Sequence, residues 1–331
     1  MNIYNEEKKE QIKVLVTAIG SVASKVVCCE LKKMSFSVYG CDIYPKEWLP
    51  QGEGLHGFFM VPCVKYKKAY MDAIMDICMK NSIKIIIPLI DVEVDFYNEY
   101  RKYFEKNNII VAISSKNSID LARNKKNMME FVKRECSFIK SIPTYLLNEN
   151  IEILDKFPMV CKPINGRSSQ NFHIVETIGQ LKELKKIYSN SLYIVEPFIS
   201  GERIVADVVR HSVSGEVVSV FRKELISTPH GCGLSVYIFS DSLLEEACQK
   251  LADKMDINGC VNFEFLKNEK GYYFLECNPR FSAGSIFTNI GGYNLVANHL
   301  NCFINTTIEK KATIANQYIV REFSEKVTKK E

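Results

Sequence analysis

The sequence predicts a mixed chain, α/β at its amino end and α+β over the remainder, and three observations carry that reading. Residues 12–18 form an apolar run that ends at a turn around Gly20, a helical stretch follows to about Met34, and a second apolar run covers 37–42, which together make a βαβ opening. Residues 261–266 and 272–278 each alternate polar and apolar side chains, and the charged, glycine-ended stretch 267–271 between them has hairpin length. A chain of 331 residues is long enough for two or three domains.

Hydrophobic residues make up 47% of the chain and charged residues 25%, enough apolar material for a sizeable core. The net charge of +4 is spread out with no long basic block, which argues against nucleic acid as a partner. Residues 1–13 are polar and charged without an apolar signal core, and no later run approaches the ~18 apolar residues of a membrane span. The expected location is therefore the cytoplasm, with no membrane partner. None of the twelve cysteines stands in a Cys-x-x-Cys spacing, so they read as reduced, small hydrophobic side chains. The five histidines lack a His-Glu-x-x-His pattern, and neither a Gly-x-Ser-x-Gly elbow nor a P-loop spacing occurs.

In the first third, the opening βαβ unit also resembles the start of a dinucleotide fold, with Asp42 in the place of the ribose-binding acid. Only Gly20 stands where three glycines should, which counts against nicotinamide. Asp42 and Tyr44 are candidates for a substrate or interface role. An amphipathic helix over 71–81 leads into a buried strand over 83–89, and a further strand follows at 108–113. Asp91, Glu93 and Asp95 follow the 83–89 strand, either in the crevice at its carboxyl end or in the first turn of the next helix, where the helix dipole favours acids. Four strands with intervening helices give an α/β unit ending near Ser115.

The hairpin carries the chemistry. Alternation puts Phe274, Glu276 and Asn278 on one face and Tyr273, Leu275 and Cys277 on the other, and Pro279 ends the strand. On the partner strand Asn262 and Glu264 oppose Val261, Phe263 and Phe265. A register that sets Glu264 opposite Glu276 also sets Asn262 opposite Asn278. Two such carboxylates need a counterion, and hard oxygen ligands suit magnesium, which completes its shell with water and phosphate oxygens. Arg280 lies within reach of those phosphates. The bland alternative is a polar hairpin in which Arg280 neutralises Glu276 as a structural ion pair.

Glu264 followed by Phe-Leu-Glu276-Cys-Asn278-Pro279-Arg280 resembles the magnesium-binding end of the ATP-grasp superfamily, in its branch of carboxylate–amine ligases and carbamoyl-phosphate-synthase-like proteins. The resemblance implies a Rossmann-like domain over residues 1–115 that precedes an ATP-grasp fold. Two α+β subdomains of that fold, 116–198 and 199–331, then clasp ATP. Glu264, Glu276 and Asn278 would hold magnesium on ATP, with manganese as an alternative, and Arg280 would stabilise the transferred phosphoryl group.

The same resemblance extends through the middle of the chain. The family often has Asp-Lys at the start of a helix; here Asn124 stands for the aspartate and Lys125 is the matching lysine. Lys162, a single charge in the apolar run 157–163, needs a partner because an unpaired buried ammonium is costly, and the family places a phosphate-binding lysine there. Gly166, Ser168 and Ser169 belong to a loop that would fold over the phosphates, although the family usually has more glycines in it. Glu196, Pro197, Phe198 and Ile199 match the hinge that holds adenine, with Glu196 accepting from the exocyclic amine. Glu202 follows Gly201, and Arg203 stands where the family has the glutamate that binds ribose, so that role falls to Glu202. Asn262 joins the ATP-binding set. Arg210, Arg222 and Lys223 supply positive charge, and Lys223 is the candidate to act with Arg280 in catalysis. In the loop at 229–233, His230 reads as a surface histidine before a general base. Residues 281–285 and the Gly291-Gly292 pair fall where the family binds its substrate acid.

The implied activity is ATP-dependent phosphorylation of a carboxylate, followed by attack of an amine on the acylphosphate to give an amide, ADP and phosphate. The partners would be a small-molecule carboxylate and a small-molecule amine, with the homodimer that relatives often form as the implied assembly. Three rival readings remain from the residues: carboxy-phosphate chemistry of the carbamoyl-phosphate-synthase kind, a regulatory protein that holds nucleotide without turnover, and a nicotinamide oxidoreductase.

Overall fold

A computed structural model of the chain describes residues 12–149, 157–166, 171–229, 231–304, 306–312 and 314–328. The chain opens with β1 (Lys13–Thr17), α1 (Ser24–Lys33), β2 (Ser37–Asp42), β3 (Gly57–Met60), α2 (Lys67–Asn81), β4 (Ile85–Ile87), α3 (Asp91–Glu99), α4 (Arg101–Lys106) and β5 (Ile110–Val111). The five strands are all parallel in the order β3-β2-β1-β4-β5. Sequence reasoning finds four of them. It misses β3 because this edge strand follows a glycine-rich turn and buries none of its four residues fully, so it carries no buried-strand signature. The order reverses between β1 and β4, and in open parallel sheets that reversal is where the carboxyl ends of the strands leave a crevice. Asp91 and Glu93 occupy the first turn of α3, at that end of the sheet.

The chain continues through α5 (Lys116–Arg123), α6 (Lys125–Glu135), β6 (Lys140–Ser141) and β7 (Tyr145–Leu146). Then come β8 (Met159–Pro163), β9 (His173–Val175), α7 (Ile178–Ile187) and β10 (Tyr193–Pro197). Strands β7-β10-β8-β9 form a small antiparallel sheet with its own core of Leu147, Met159, Cys161, Val175, Leu181 and Val195. The remainder is β11 (Glu202–Arg210), β12 (Val217–Ser227), β13 (Gly233–Phe239), α8 (Ser242–Lys254), β14 (Gly259–Asn268), β15 (Gly271–Asn278), α9 (Ser285–Ile290), α10 (Leu295–Asn301) and β16 (Gln317–Val320). A seven-stranded sheet runs β16-β13-β12-β11-β14-β15-β6, antiparallel except where β6 lies parallel to β15.

The large sheet separates two cores. One face carries Phe263, Phe265 and Phe274 under Leu244, Cys248 and Leu251 of α8 and Met128 and Val132 of α6. The other face carries Val209, Val218 and Val220 under α9 and α10, and α1 completes the same core from the amino-terminal domain through Val26, Val27 and Leu31. The first domain and the large sheet thus share one continuous hydrophobic cluster. All twelve cysteines are free thiols, and nine of them are buried, in keeping with the sequence reading. Among the described residues no helix is long and apolar enough to cross a membrane.

Candidate active site

Strands β14 and β15 pair in the register considered for the hairpin: Glu264 faces Glu276, and with it Asn262 faces Asn278. One expectation needs correcting. Phe265 pairs with Phe274, so Leu275 is an extra residue in a β-bulge that shifts the alternation by one. Phe274 therefore lies on the face opposite Glu276, in the α8-side core with Cys277, because a fully buried phenyl ring outweighs strict period-two alternation. Glu276 and Asn278 keep the polar face. Asn278 Nδ2 donates to Glu264 Oε1 at 3.3 Å and to Glu276 Oε1 at 3.2 Å.

The two carboxylates sit in different surroundings. Burial, reinforced by Glu276, pushes the Glu264 carboxyl up, and Arg203 opposes this through Nε and Nη2, at 3.0 and 2.6 Å from Glu264 Oε2. Burial acts on Glu276 in the same direction, but Lys125 and Lys162 outweigh it and hold its carboxyl below the usual range. Lys125 is the first residue of α6, where Asn124 caps the helix by accepting from Asn127 N at 3.0 Å. Its Nζ donates to Gly166 O at 2.6 Å and stands 3.8 Å from Glu276 Oε2, while burial draws its own pKa down.

Lys162 finds its partner within the small sheet: Nζ lies 2.6 Å from Glu196 Oε2, and Thr144 Oγ1 donates to Glu196 Oε1 at 2.9 Å. Both oxygens of Glu196 are therefore engaged by the protein itself. Pro197 ends β10, Phe198 N donates to Pro158 O at 3.0 Å, and Ile199 packs at the margin of the α8-side core. The chain then approaches β14 so closely at Gly201 that a Cβ would stand 2.7 Å from Lys267 O.

A cleft of about 590 Å³ gathers Lys125, Lys162 and Gly166 with Asn262, Glu264, Glu276, Asn278 and Arg280. Lys223 and Glu202 do not join them. Lys223 pairs in register with Ile204, which belongs to the α8-side core, so both side chains project from the sheet face away from the cleft and form an ion pair there. The neighbouring Arg222, in register with Val205, takes the cleft side instead. Arg210 is also turned elsewhere, toward Ile257 O at 2.8 Å and Asp253. Ser168, Ser169 and His230 lie outside the described residues.

Several members of the site escape sequence reasoning. Asp207 is fully buried and accepts from Arg222 Nη1 at 2.7 Å, Thr288 Oγ1 at 2.6 Å, Ser282 Oγ at 2.9 Å and Asn262 Nδ2 at 3.0 Å. A lone charge in the apolar run Ile204–Val209 was the available signal. Arg280 Nη2 donates to Asp91 Oδ2 at 2.8 Å, and Arg123 Nη1 stands 2.7 Å from Asp91 Oδ1, so in place of the alternative Arg280–Glu276 ion pair the structure has an Arg280–Asp91 bridge to the first domain. Burial works against charge on Asp91, yet Arg280 and Arg123 hold its carboxyl well below the usual carboxylate range. In the first domain, Asp42 accepts from Gly20 N at 2.8 Å and Tyr44 N at 3.2 Å and so shapes the turn after β1. Glu93 is buried among Thr17 and Tyr70.

Comparison with known proteins gives a consistent result. Residues 190–326 match a family described as ATP-grasp in the biosynthetic pathway with Ter operon, and residues 4–112 match the PylC-like N-terminal domain. A carbamoyl phosphate synthase large chain from Thermoanaerobacter sp. (strain X514) is 21% identical over 192 residues, covering 54% of this chain and 18% of the relative, so the chain spans less than a fifth of that protein's length. Among solved structures, the biotin carboxylase domain of Hydrogenobacter thermophilus 2-oxoglutarate carboxylase superposes with a TM-score of 0.77 at 17% identity, over 92% of this chain and 73% of that one. The Staphylococcus aureus N5-carboxyaminoimidazole synthetase gives 0.73 at 13% identity, over 92% and 80%. The chain thus shares its fold with these proteins, and the ATP-grasp match over residues 190–326, the PylC-like match over 4–112 and the similarity to the carbamoyl phosphate synthase large chain together support the ATP-grasp carboxylate–amine ligase branch.

Proposed function

We propose that the chain is an ATP-dependent ligase that phosphorylates a carboxylate and couples the resulting acylphosphate to an amine, with release of ADP and phosphate. The observation that carries this reading is the pairing of Glu264 with Glu276 across the hairpin, bridged by Asn278 and ringed by Lys125, Lys162 and Arg280. The donor set fits magnesium. Two carboxylates and an amide oxygen are hard donors, too few for a closed cage, which leaves positions for water and phosphate oxygens; manganese accepts the same set. Among the described residues no three or more His, Cys, Asp or Glu side chains form a closed metal cage. Magnesium held by Glu264, Glu276 and Asn278 would neutralise phosphate charge.

Phosphoryl transfer asks the protein mainly for positioning and charge. Lys125 and Lys162 are the candidates to hold phosphate oxygens, with the backbone at Gly166 and the hydroxyls of Ser168 and Ser169 closing over them to keep water from the acylphosphate. The hinge Glu196–Ile199 is the candidate adenine cradle, with Asn262 beside the metal; Glu202, paired with Lys223 on the far sheet face, has no ribose role in this reading. Arg280, anchored by Asp91, is the candidate to stabilise the transferred group. Lys223, on the far sheet face, has no part in this reading, and Arg222 takes its place in the cleft beside Arg203 and Arg280. The division at 115 and 198 remains our proposal for the domain units, and the dimer named for the biotin carboxylase domain supports a homodimer here, which light scattering tests.

The deciding experiment is magnesium-dependent ADP release, screened against amino acids and small carboxylates singly and in pairs. A pair that stimulates release and yields a condensed product supports the ligase. Bicarbonate acting alone as the stimulating acid would redirect it to the carboxy-phosphate chemistry suggested by the relative's name. A second reading, nucleotide binding without turnover, is favoured by the Arg203–Glu264 bond, which occupies one oxygen of the metal carboxylate. Tight nucleotide binding with no ADP release from any pair would select it.

A further inference from the structure

Glu224 is a buried carboxylate in the cleft with half of its hydrogen-bonding capacity unused. Its side chain is only 5% exposed; Oε1 accepts from Arg222 Nε at 3.0 Å, while Oε2 is buried and has no hydrogen-bond partner. An unpaired carboxylate oxygen in such a place is costly. None of the bonds Arg222 makes reaches that oxygen: Nε donates to Oε1, Nη1 to Asp207 and Nη2 to Ser282. Two guanidinium groups stand near Glu224 and each is shared: Arg222 pairs with Asp207 and Glu224, and Arg203 is bonded to Glu264. Neither donates to Glu224 Oε2.

The backbone is shaped around that oxygen. A Cβ at Gly233 would stand 2.3 Å from Glu224 Oε2, and a Cβ at Gly284 would stand 2.6 Å from Arg222 Nη2. Gly233, Gly284 and Glu224 all line the cleft that holds Glu264 and Glu276. Strands β12 and β14 flank β11, so Glu224 lies two strand spacings, ~10 Å, from the row of Glu264. That is the reach of a small substrate whose reacting group points toward the phosphates.

We propose that Glu224 Oε2 receives the primary ammonium or amine of a substrate, so that the chain selects amine-bearing ligands over isosteric ligands without one. The site offers the open oxygen as acceptor, Arg222 fixes the carboxylate through Nε, and Gly233 leaves the space the nitrogen needs. Glu224 is thus a specificity-determining residue for a ligand of the amino-acid or diamine class. The assignment rests on the ligase reading for its place in turnover, but binding tests it separately.

The probes are the twenty L-amino acids, their des-amino carboxylic acids, and putrescine, each titrated calorimetrically into the full chain with magnesium and a non-hydrolysable ATP analogue; the nucleotide is titrated alone in parallel. The expected result is that at least one amine-bearing probe binds and that its counterpart lacking the amine binds ~10- to 100-fold more weakly, the loss typical of a charge-assisted hydrogen bond. Binding by amino acids alone assigns the amine to an amino acid, and binding by putrescine assigns it to a diamine. E224Q, which keeps an acceptor for Arg222, should abolish the preference, and G233A, which presses a methyl group on Oε2, should weaken the same probes. Equal binding of the two forms, a preference retained in E224Q, or failure of every amine-bearing probe would each overturn the proposal. Amine preference without nucleotide binding would leave Glu224 assigned and sink the ligase instead.

Discussion

Arg203 grips Glu264 with two nitrogens on a single oxygen, Nε at 3.0 Å and Nη2 at 2.6 Å, so a fixed cation already sits at the carboxylate proposed for magnesium. A like charge at that distance competes with a metal ion, at a cost of ~1–2 kcal/mol in a partly screened setting. Replacing Arg203 with methionine should therefore lower the half-saturating magnesium concentration for ADP release by several-fold. A magnesium titration of both proteins checks this, and an unchanged midpoint would remove Arg203 from the metal's electrostatics.

Glu276 is the carboxylate held charged by two lysines, whereas Glu264 is pushed toward its neutral form by burial. Glu276→Ala should reduce magnesium-dependent ADP formation by at least 100-fold while leaving the circular dichroism spectrum intact. Turnover within a few-fold of the parent would sink the magnesium assignment.

Asp91 ties the first domain to the cleft through Arg280 and Arg123. With its carboxyl held below the usual range, the pairs contribute stability above the unfolded-state pKa, ~4, and lose it only as the pH falls below that value. Asp91→Asn should cost ~3 kcal/mol in urea unfolding at pH 7, because it leaves the largely buried Arg280 without its carboxylate and Arg123 with Asp95 alone. It should also lower turnover at least tenfold by freeing Arg280. Full activity in a destabilised variant would show that the bridge is structural alone.

Glu93 moves the other way. Burial pushes its carboxyl up to about 7, against the stabilising hydrogen bonds from Thr17 and Tyr70, with Asp42 adding to the rise. The folded state then retains a proton that the unfolded chain has lost, so this group's contribution to stability declines as pH rises from ~4.5 to about 7. Unfolding free energies measured from pH 5 to 8 should show that decline, and Glu93→Gln should flatten it. A parallel pH profile in the variant would refute the shift.

Lys223 and Arg222 are neighbours in sequence and opposite in consequence. Lys223→Ala removes an exposed pair with Glu202 and should leave turnover within about twofold and stability within ~0.5 kcal/mol. Arg222→Met leaves Asp207 buried without its guanidinium and should cost ~3–5 kcal/mol in a denaturant titration. Comparable losses in the two variants would contradict the sidedness of β12.

That pair also shows where reading the sequence stops. Alternation put Asn262 and Glu264 on one face of β14 and Glu276 and Asn278 on one face of β15, which left their pairing as one register to consider; the bulge at Leu275 was not legible. The capped start of α6 at Lys125 was legible for a similar local reason. Which face a charged residue takes in β12 was not, since Arg222 and Lys223 are chemically alike and only the pairing with β11 distinguishes them. The Asp91–Arg280 bridge joins positions 189 residues apart, and no local pattern encodes such a contact. Glu224 was invisible for the same reason, its meaning being set by what Arg222 has already spent on Asp207 and Ser282.

The extra residue at Leu275 lets one strand answer two independent demands. Upstream of it, Tyr272 and Phe274 are selected for how they fill space beneath α8; downstream, Glu276 and Asn278 are selected for what they can hold. Without the bulge, even alternation would put Phe274 and Glu276 on one face; deleting Leu275 would make them neighbours and keep them on opposite faces in a regular ladder. A residue inserted in the 269–270 turn changes only the length of the connection, whereas one inserted beside Leu275 and not taken up by the bulge reverses the faces of the residues on one side of it. The faces in this hairpin are thus set by what each residue pairs with on β14, Phe274 with Phe265 and Glu276 with Glu264, and the bulge absorbs the one residue of difference.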